Sequence, residues 1–498
     1  MDPFKDGQTP TANAQPGAGS GLGPSSGKLG LPLLAGIVVG SMIGGGVFNL
    51  PQNMARGAGL GAIIIAWVLT LVGMFFLSNG FRTLADRRPD LKAGIYRYAQ
   101  EGFGPLVGFE MAWGYWLSSA FGNVAFAVLL MQILGYFFPV FGDGRNWPSI
   151  IGGSVLIWTM HFIVLTGVKR AAGLSVFSSL VNVATIGVVL VILALFIRSG
   201  QFSVDVWGQQ EKLGSVFTQV KSTMLVTLWV FLGIEAAVVV SNRAKKPAQV
   251  GTATFIGLTV CSVLYFLLSL LPFGVMRQAE LAGLSSPSAA YVLQDLVGRW
   301  GAIFVNVSLL FSELFCWLAW TILVAELPYE GAKGGVFPKF LARTNRHHAA
   351  APALWISSVV MQITMFVVLF AHDAWIWLIS ITGVTSLPPY VTSTAFLLRY
   401  ASKPGYQASA SETRSMAIWT GLLGTLYSLW LQYAAGLEFV LMSTIVYAVG
   451  LPIYWYAQKE RAPDRPAFTR MEMAAAVALV VVSIIAVILF ARGIVSIT

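Results

Sequence analysis

Long apolar blocks, separated by short polar segments, follow one another along the chain after the polar residues 1–28. A block of about 20 apolar residues is typical of a membrane-spanning α-helix, because a helix of that length crosses the hydrocarbon core with its backbone hydrogen bonds satisfied internally. The pattern predicts thirteen spans, at residues 30–55, 58–81, 105–138, 148–168, 173–198, 218–241, 250–275, 300–327, 353–371, 374–398, 416–434, 438–457 and 472–491. We therefore predict an all-α polytopic membrane protein.

The first span contains Gly40, Gly44, Gly45 and Gly46 within seven residues. Each Gly in a helix interior costs up to about 1 kcal/mol relative to Ala, so the four together predict a break in the helix. The alternative is a small-residue packing face, which Gly40 and Gly44 fit by their spacing. Three adjacent glycines cannot all face one neighbouring helix, which favours the break.

The sixth span contains Gly233 and, two residues later, the ionisable Glu235. A carboxylate at the centre of a membrane costs roughly 2.5 kcal/mol or more unless it lines a polar cavity. Glu235 is therefore a candidate for pairing with a cationic substrate or for binding a proton. A structural acid that is bonded to helix ends is the alternative.

Spans one and six open two consecutive blocks of five helices. Because five is odd, the second block inserts with the opposite orientation, as in secondary transporters that have inverted repeats and a broken first helix in each half. Helix ends at such breaks offer N–H donors to a carboxylate and C=O acceptors to an ammonium group, and an α-amino acid needs both. The predicted units are a first repeat at 29–198, a second repeat at 199–400, and accessory C-terminal helices at 401–498 that bring the total to twelve or thirteen spans.

The composition agrees with a membrane protein and excludes a soluble enzyme. Only 10% of the residues are Asp, Glu, Lys or Arg and 56% are apolar, whereas soluble domains carry about 25% charged residues. The two cysteines, Cys261 and Cys316, lie within apolar blocks, so neither a disulfide framework nor a metal site is expected. The chain has no G-x-x-x-x-G-K-[ST] motif, so ATP-driven transport is not predicted, and no cofactor is expected.

Membrane topology accounts for the net charge of +10 without any nucleic acid. If the N-terminus is cytoplasmic, 23 of the 31 Lys and Arg residues fall on the cytoplasmic side of the predicted spans. An excess of Lys and Arg is typical of cytoplasmic loops. Residues 1–28 lack a signal-peptide core and are expected to form a disordered cytoplasmic tail. We thus expect a multi-pass protein of the inner membrane, with the lipid bilayer and a small molecule as its partners.

Several segments resemble the amino acid/polyamine/organocation transporters, in particular the basic amino acid/polyamine antiporters and, among these, the bacterial arginine/ornithine antiporters. The resemblance covers residues 30–460 and rests on VGSMIGGGVFNLPQNMA, PDLKAGIYRYAQEGFGPLVGF, AWGYWLSSAFGN, WVFLGIEAA followed by SNRAKKPAQVG, and AWTILVAE followed by GVFPKFLAR. It implies a LeuT-like fold with a 5+5 inverted-repeat core and broken helices 1 and 6.

The resemblance also implies a substrate site at the two breaks. The N–H groups of Gly44, Gly45 and Gly46 would hold the substrate carboxylate. The carbonyls near Met42, Trp229 and Leu232 would receive its amino group, and Trp229 also matches the family's gate aromatic. Gly45 replaces a serine that is common in arginine/agmatine antiporters.

Five further positions match the family's site. Asn123 matches an asparagine of the third helix, and Ser118 and Ser119 match the carbonyl positions that precede it; Ser119 and Asn123, four residues apart, share a helix face. Trp320 matches an aromatic of the eighth helix that stacks on a guanidinium group, and Thr382 matches a hydroxyl of the tenth helix.

Glu313 departs from the family, whose members are apolar at this position. It precedes Trp320 by seven residues, or two helical turns, so both side chains are expected on nearly the same face. Glu313 would then line the outer part of the same path and could bind a second positive charge or a proton. A structural ion pair with Lys221 or another cation is the competing interpretation.

The resemblance implies a secondary transporter and not an enzyme. The leading hypothesis is exchange of a cationic amino acid, of the arginine or ornithine type, for a related amino acid or amine by alternating access. The alternative is a proton-coupled symporter or uniporter of basic or other amino acids, with Glu235 or Glu313 as the proton site. The sequence leaves open which basic amino acid is carried, how transport is coupled, and whether the chain forms a homodimer.

Overall fold

The computed structural model describes residues 30–88, 90–91, 95–167, 171–203, 205–234, 245, 248–406 and 412–495. Its α-helices, in chain order, are α1 (Leu31–Met42), α2 (Leu50–Ala55), α3 (Leu60–Arg87), α4 (Ile95–Phe103), α5 (Pro105–Phe137), α6 (Trp147–Leu165), α7 (Ala171–Phe196), α8 (Val216–Trp229), α9 (Ala248–Leu270), α10 (Gln278–Ala282), α11 (Ser288–Val297), α12 (Arg299–Lys333), α13 (Ala351–Val367), α14 (Ala374–Ser402), α15 (Arg414–Ala434), α16 (Leu437–Ala448), α17 (Leu451–Arg461) and α18 (Arg470–Ala491). Short 3₁₀ segments, among them Gly45–Asn49, join some of these helices.

Ten helical segments of the described ranges are long and apolar enough to cross a membrane, and the bent pair formed by residues 34–42 and 45–55 raises this number to eleven. The predicted all-α membrane architecture is confirmed. Helix α15 occupies the predicted eleventh span and has 21 residues, but it is not among the ten. Residues 235–241 of the predicted sixth span lie outside the described residues, so a total of thirteen spans stays a prediction.

The first span is broken where the glycines predict it. Helix α1 ends at Met42, Gly44 is extended with φ −98° and ψ 177°, and the 3₁₀ segment Gly45–Asn49 continues into α2. The two parts of the span meet at 47°. Gly40 has a separate role, because a Cβ there would lie 2.4 Å from Ser179 Oγ of α7. The glycines thus combine a helix break with one point of close helix packing.

The sixth span is also broken within its described part. Helix α8 ends at Trp229, and a turn follows in which Gly233 has φ +100°. Ser41 of α1 donates a hydrogen bond to the carbonyl of Gly233 at 2.9 Å. A Cβ on Gly233 would lie 2.5 Å from the carbonyl oxygen of Ser41. The two breaks are therefore in direct contact, and only a glycine at 233 allows this approach at a positive φ.

Three long helices, α5, α12 and α14, pack beside the two breaks. A buried hydrogen-bond network fixes α12 against α7 and the first break: Ser178 donates to the carbonyl of Ser312, Ser312 donates to Asn182, and Asn182 donates to the carbonyl of Ile43 at 3.2 Å. Buried polar groups that satisfy one another in this way define a unique helix arrangement. The network places residue 313 of α12 next to the first break.

Helix α18 is tied to the rest of the bundle through Glu472. Thr469 and Glu472 form a capping box at the start of α18. Glu472 also accepts a hydrogen bond at 3.0 Å from the backbone N–H of Leu106, in the first turn of α5. Further along α18, Ser483 donates to the carbonyl of Thr444 of α16. One carboxylate therefore satisfies N–H groups at the starts of two helices.

Candidate functional site

A cavity lies where the two helix breaks meet α5, α12 and α14. Its lining combines backbone of the breaks, hydroxyl groups, aromatic rings and one carboxylate. The lining residues are Ser41, Met42, Gly44, Gly46, Val47, Tyr115, Ser118, Ser119, Gly122, Phe126, Trp229, Val230, Leu232, Glu313, Trp320, Trp375, Thr382 and Ser386. The structure thus brings most of the site residues expected from the sequence around one space. Glu235 lies outside the described residues.

Glu313 occupies the first break directly. Its Oε2 accepts a hydrogen bond from the backbone N–H of Gly45 at 2.8 Å, and the residue is completely buried. Its Oε1 has no hydrogen-bond partner within the described ranges. Helical spacing correctly predicts that Glu313 and Trp320 face the same space. The alternative ion pair with Lys221 or another cation is not formed among the described residues. Lys221 Nζ instead lies 4.7 Å from the ring centre of Tyr433.

The three adjacent glycines have different surroundings. A Cβ on Gly45 would lie 2.3 Å from Glu313 Oε2, and a Cβ on Gly46 would lie 2.6 Å from Trp229 Nε1. A Cβ on Gly44 would meet only Phe126, at 3.9 Å. Close approach by cavity side chains therefore requires glycine at 45 and 46, whereas 44 has room for a methyl group.

Two tryptophans meet beside Gly46. The rings of Trp229 and Trp375 pack edge to face, with centroids 6.0 Å apart and an interplanar angle of 79°. Trp375 Nε1 is buried and has no partner among the described residues. Sequence reasoning missed Trp375, which stands in the first turn of α14, where tryptophan is routine at a membrane interface. The signal that could have found it is its spacing of seven residues from Thr382, which places both on one helix face.

The hydroxyl groups of α5 and α14 differ in what they contact. Ser118 donates to the carbonyl of Thr382 at 2.9 Å, and Ser119 donates to the carbonyl of Tyr115. The buried Thr382 Oγ1 has no partner in the part of the chain that the structure describes. Thr382 therefore offers a hydroxyl group to a ligand in the cavity. The two serines stabilise the wall of the cavity.

Asn123 is placed behind the wall of the cavity and not in its lining. Its Nδ2 donates to the carbonyl of Ser119 at 2.7 Å, and its Oδ1 accepts from Thr321 at 3.2 Å. The residue is fully buried. In this arrangement Asn123 joins α5 to α12 and supports the part of the cavity wall that contains Trp320.

Part of the carbonyl set expected to receive an ammonium group is engaged within the protein. The Met42 carbonyl accepts from the Gly44 N–H at 3.1 Å, and the Trp229 carbonyl accepts from the Leu232 N–H at 3.2 Å. A carbonyl oxygen has two lone pairs, so each of these groups can accept a second hydrogen bond. Met42, Trp229 and Leu232 all border the cavity.

Contacts on one side of the cavity hold the segment that follows the first break. Ser288, at the start of α11, donates to the carbonyl of Phe48, and its N–H donates to Asn49. Gln278 donates to the carbonyl of Ala55. These bonds attach α2 and the preceding 3₁₀ segment to the loop helices α10 and α11.

His161 is a buried histidine that is bonded within the helix bundle. His161 of α6 lies 2.8 Å from Ser358 Oγ of α13 and packs edge to face against Trp355. It does not line the cavity. His161 therefore joins α6 to α13 within the helix bundle.

Comparisons with known proteins identify the relatives of this chain. The sequence profile of the family described as "Amino acid permease" matches residues 29–438. The arginine/agmatine antiporter of Chlamydia abortus is 48% identical over 475 residues, which cover 94% of this chain and 98% of that protein. The arginine/agmatine antiporter of Chlamydia pneumoniae is 46% identical, with the same coverage. That of Chlamydia trachomatis serovar L2 is 46% identical, over 93% of this chain and 97% of the relative.

Proposed function

Because this chain belongs to the amino acid permease family of membrane transporters, we propose that it exchanges a cationic amino acid for a related amino acid or amine by alternating access. Arginine is the proposed amino acid, with agmatine or ornithine as the counter-substrate. The names of the relatives favour agmatine, which is arginine without its carboxylate. Ornithine rests on the resemblance of the sequence motifs.

The observation that carries the proposal is the mixed chemistry of the cavity. The broken first span presents backbone N–H groups that suit a carboxylate, and in this structure the Gly45 N–H donates to the carboxyl group of Glu313. The carbonyls of Met42, Trp229 and Leu232 suit an ammonium group. Trp320 presents its ring to the same space, and an aromatic ring that faces a desolvated cation contributes about 2 kcal/mol. Glu313 supplies a carboxyl group. A cationic amino acid has a complementary group for each of these features.

Alternating access requires that the cavity open to each side of the membrane in turn. The breaks at Gly44 and Gly233 lie in contact with each other, so a movement of one half-helix changes the environment of the other. The bonds of Ser288 and Gln278 hold the half of span one that follows its break, and we propose that this side is the one closed here. The proposed units at 29–198 and 199–400 would carry this movement between them.

The proposed location is the inner membrane of a bacterium, with the N-terminus in the cytoplasm. The distribution of Lys and Arg between alternate loops supports this orientation. One chain lines the cavity by itself. A homodimer would carry one such site per chain.

Counterflow in proteoliposomes tests the proposal. Vesicles loaded with unlabelled arginine, agmatine, ornithine or no substrate receive labelled arginine outside. An exchanger takes up label only into vesicles that contain a substrate. Uptake into empty vesicles in response to a pH gradient would favour the proton-coupled alternative. A lack of uptake of every cationic substrate under both conditions would refute both functions.

A further inference from the structure

We infer that Glu313 is a built-in counter-carboxylate that makes the site prefer an amine without a carboxylate over the parent amino acid. The inference rests on the proposed function and specifies how the same site distinguishes its two substrates. Glu313 would act as a specificity-determining residue. It would take the place of the substrate carboxylate whenever the substrate has none.

The geometry of the first break carries this inference. Glu313 Oε2 already accepts the hydrogen bond of the Gly45 N–H at 2.8 Å, the central N–H of the three that the family resemblance assigns to a substrate carboxylate. The carboxylate is fully buried, and Glu313 Oε1 has no partner within the described ranges. Gly44 and Gly46 line the cavity on either side of this contact. An incoming carboxylate would therefore meet a carboxylate already in place.

The elements that pack around Glu313 provide no cation for its carboxyl group in the part of the chain that the structure describes. The first break contributes the Gly45 N–H, and α12 itself contributes the Cys316 thiol. The α7 side chains that bond to the neighbouring Ser312 are the uncharged Ser178 and Asn182. No Lys, Arg or His of the described ranges forms an ion pair with Glu313. A cationic ligand in the cavity is thus the available partner for this carboxylate.

The two substrate classes then differ in electrostatics. An α-amino acid brings its own carboxylate, and two carboxylates at one buried site repel each other. To bind, the amino acid must displace Glu313 from Gly45 or bind when Glu313 is neutral. The decarboxylated amine brings only positive charge, and Glu313 keeps its hydrogen bond to Gly45 while its charge attracts the amine. Glu313 thus penalises the amino acid and favours the amine.

Three probes that share a guanidinium group separate these effects: arginine, argininamide, in which the carboxylate is a neutral amide, and agmatine, which lacks it. Inhibition constants against labelled agmatine counterflow are measured for wild type, Glu313→Gln and Glu313→Ala. Gln can still accept from the Gly45 N–H but carries no charge. The matched control is Glu110→Gln, which alters a buried carboxylate of α5 that does not line the cavity.

We expect wild type to bind argininamide and agmatine more tightly than arginine. We also expect Glu313→Gln and Glu313→Ala to shift the arginine-to-agmatine ratio of inhibition constants toward arginine by tenfold or more. Glu110→Gln should leave the ratio unchanged. A merely structural role for Glu313 would weaken all three ligands together, and that result would overturn the inference.

The wild-type measurement alone also tests the inference, should both Glu313 variants fail to fold. If wild type binds arginine as tightly as argininamide, no internal carboxylate penalises the substrate carboxylate and the inference is wrong. If exchange is robust but the arginine-to-agmatine ratio of inhibition constants is the same in wild type and the Glu313 variants, only the inference is overturned. Absence of exchange by the wild-type protein overturns the proposed function and the inference with it.

Discussion

Arg56 Nη1 lies 2.6 Å from Asp373 Oδ2, and this ion pair joins the end of α2 to the start of α14. Helix α14 borders the cavity through Trp375, and the 3₁₀ segment that precedes α2 borders it through Val47. The two side chains are partly exposed, and such pairs contribute about 0 to 1 kcal/mol. We expect this pair to help close one side of the cavity without locking it.

Arg56→Gln should increase access to the cavity from the side of the ion pair, because the closed state loses one stabilising contact. In a background with Cys261 and Cys316 replaced, a Ser386→Cys reporter should react up to about fivefold faster with an impermeant thiol reagent added on that side. The matched control is Arg299→Gln, which changes an exposed arginine without an ion pair in the described ranges. An equal effect of both variants would argue against a closing contact.

Gly46→Ala should impair transport much more than Gly44→Ala. The new methyl group at 46 would lie 2.6 Å from Trp229 Nε1, whereas at 44 its nearest neighbour is Phe126 at 3.9 Å. Overpacking of this kind costs roughly 1–3 kcal/mol. Thermal unfolding of the detergent-solubilised protein and counterflow rates measure the two effects. Similar losses at both positions would contradict the different surroundings of the two glycines.

Gly45→Ser should be deleterious alone and tolerated together with Glu313→Ala. A Cβ at 45 would lie 2.3 Å from Glu313 Oε2, so the serine and the carboxylate exclude each other. Residues in contact show interaction energies of about 0.5–3 kcal/mol in a double-mutant cycle. The melting temperatures of wild type, both single variants and the double variant give this coupling. Strictly additive effects would show that the two positions are independent.

Trp320→Leu should weaken arginine more than its neutral isostere citrulline, because Leu keeps an apolar wall but cannot attract a cation. Loss of a desolvated cation–π contact is worth about 2 kcal/mol, so the arginine inhibition constant should rise about tenfold or more. Trp320→Phe should retain part of the affinity. Trp300→Leu, at an exposed tryptophan of the same helix, should have no effect on either ligand.

Glu472→Ala should lower stability without altering substrate selectivity. It removes the capping box of α18 and leaves the Leu106 N–H of α5 without its acceptor. Loss of a cap typically costs about 1 kcal/mol, and the second lost bond adds to this. Thermal unfolding measures the loss of stability. The control is Met471→Ala, which changes the neighbouring side chain, and this side chain is 85% exposed. Unchanged stability would mean that α18 is not held by this carboxylate.

The sequence determined the helices and the place of the breaks, because both depend on local properties. Apolar blocks of membrane length have to be helical in lipid, and they match ten of the helical segments that the structure describes. The glycines of spans one and six weaken the helix at the point where they occur, so the breaks follow Met42 and Trp229. Helical spacing also placed Glu313 and Trp320 on one face.

The tertiary structure alone decided what each of these faces meets. Gly45 and Glu313 are separated by 268 positions. Only the packing of α12 against the first break shows that the carboxylate occupies the space that a side chain at 45 would need. Similarly, Asn123 shares a face with Ser119, but α12 covers it and turns it into a support of the cavity wall. The physical reason is that periodicity fixes the direction of a side chain within its own helix, whereas its partner depends on which helices pack together and at what angle.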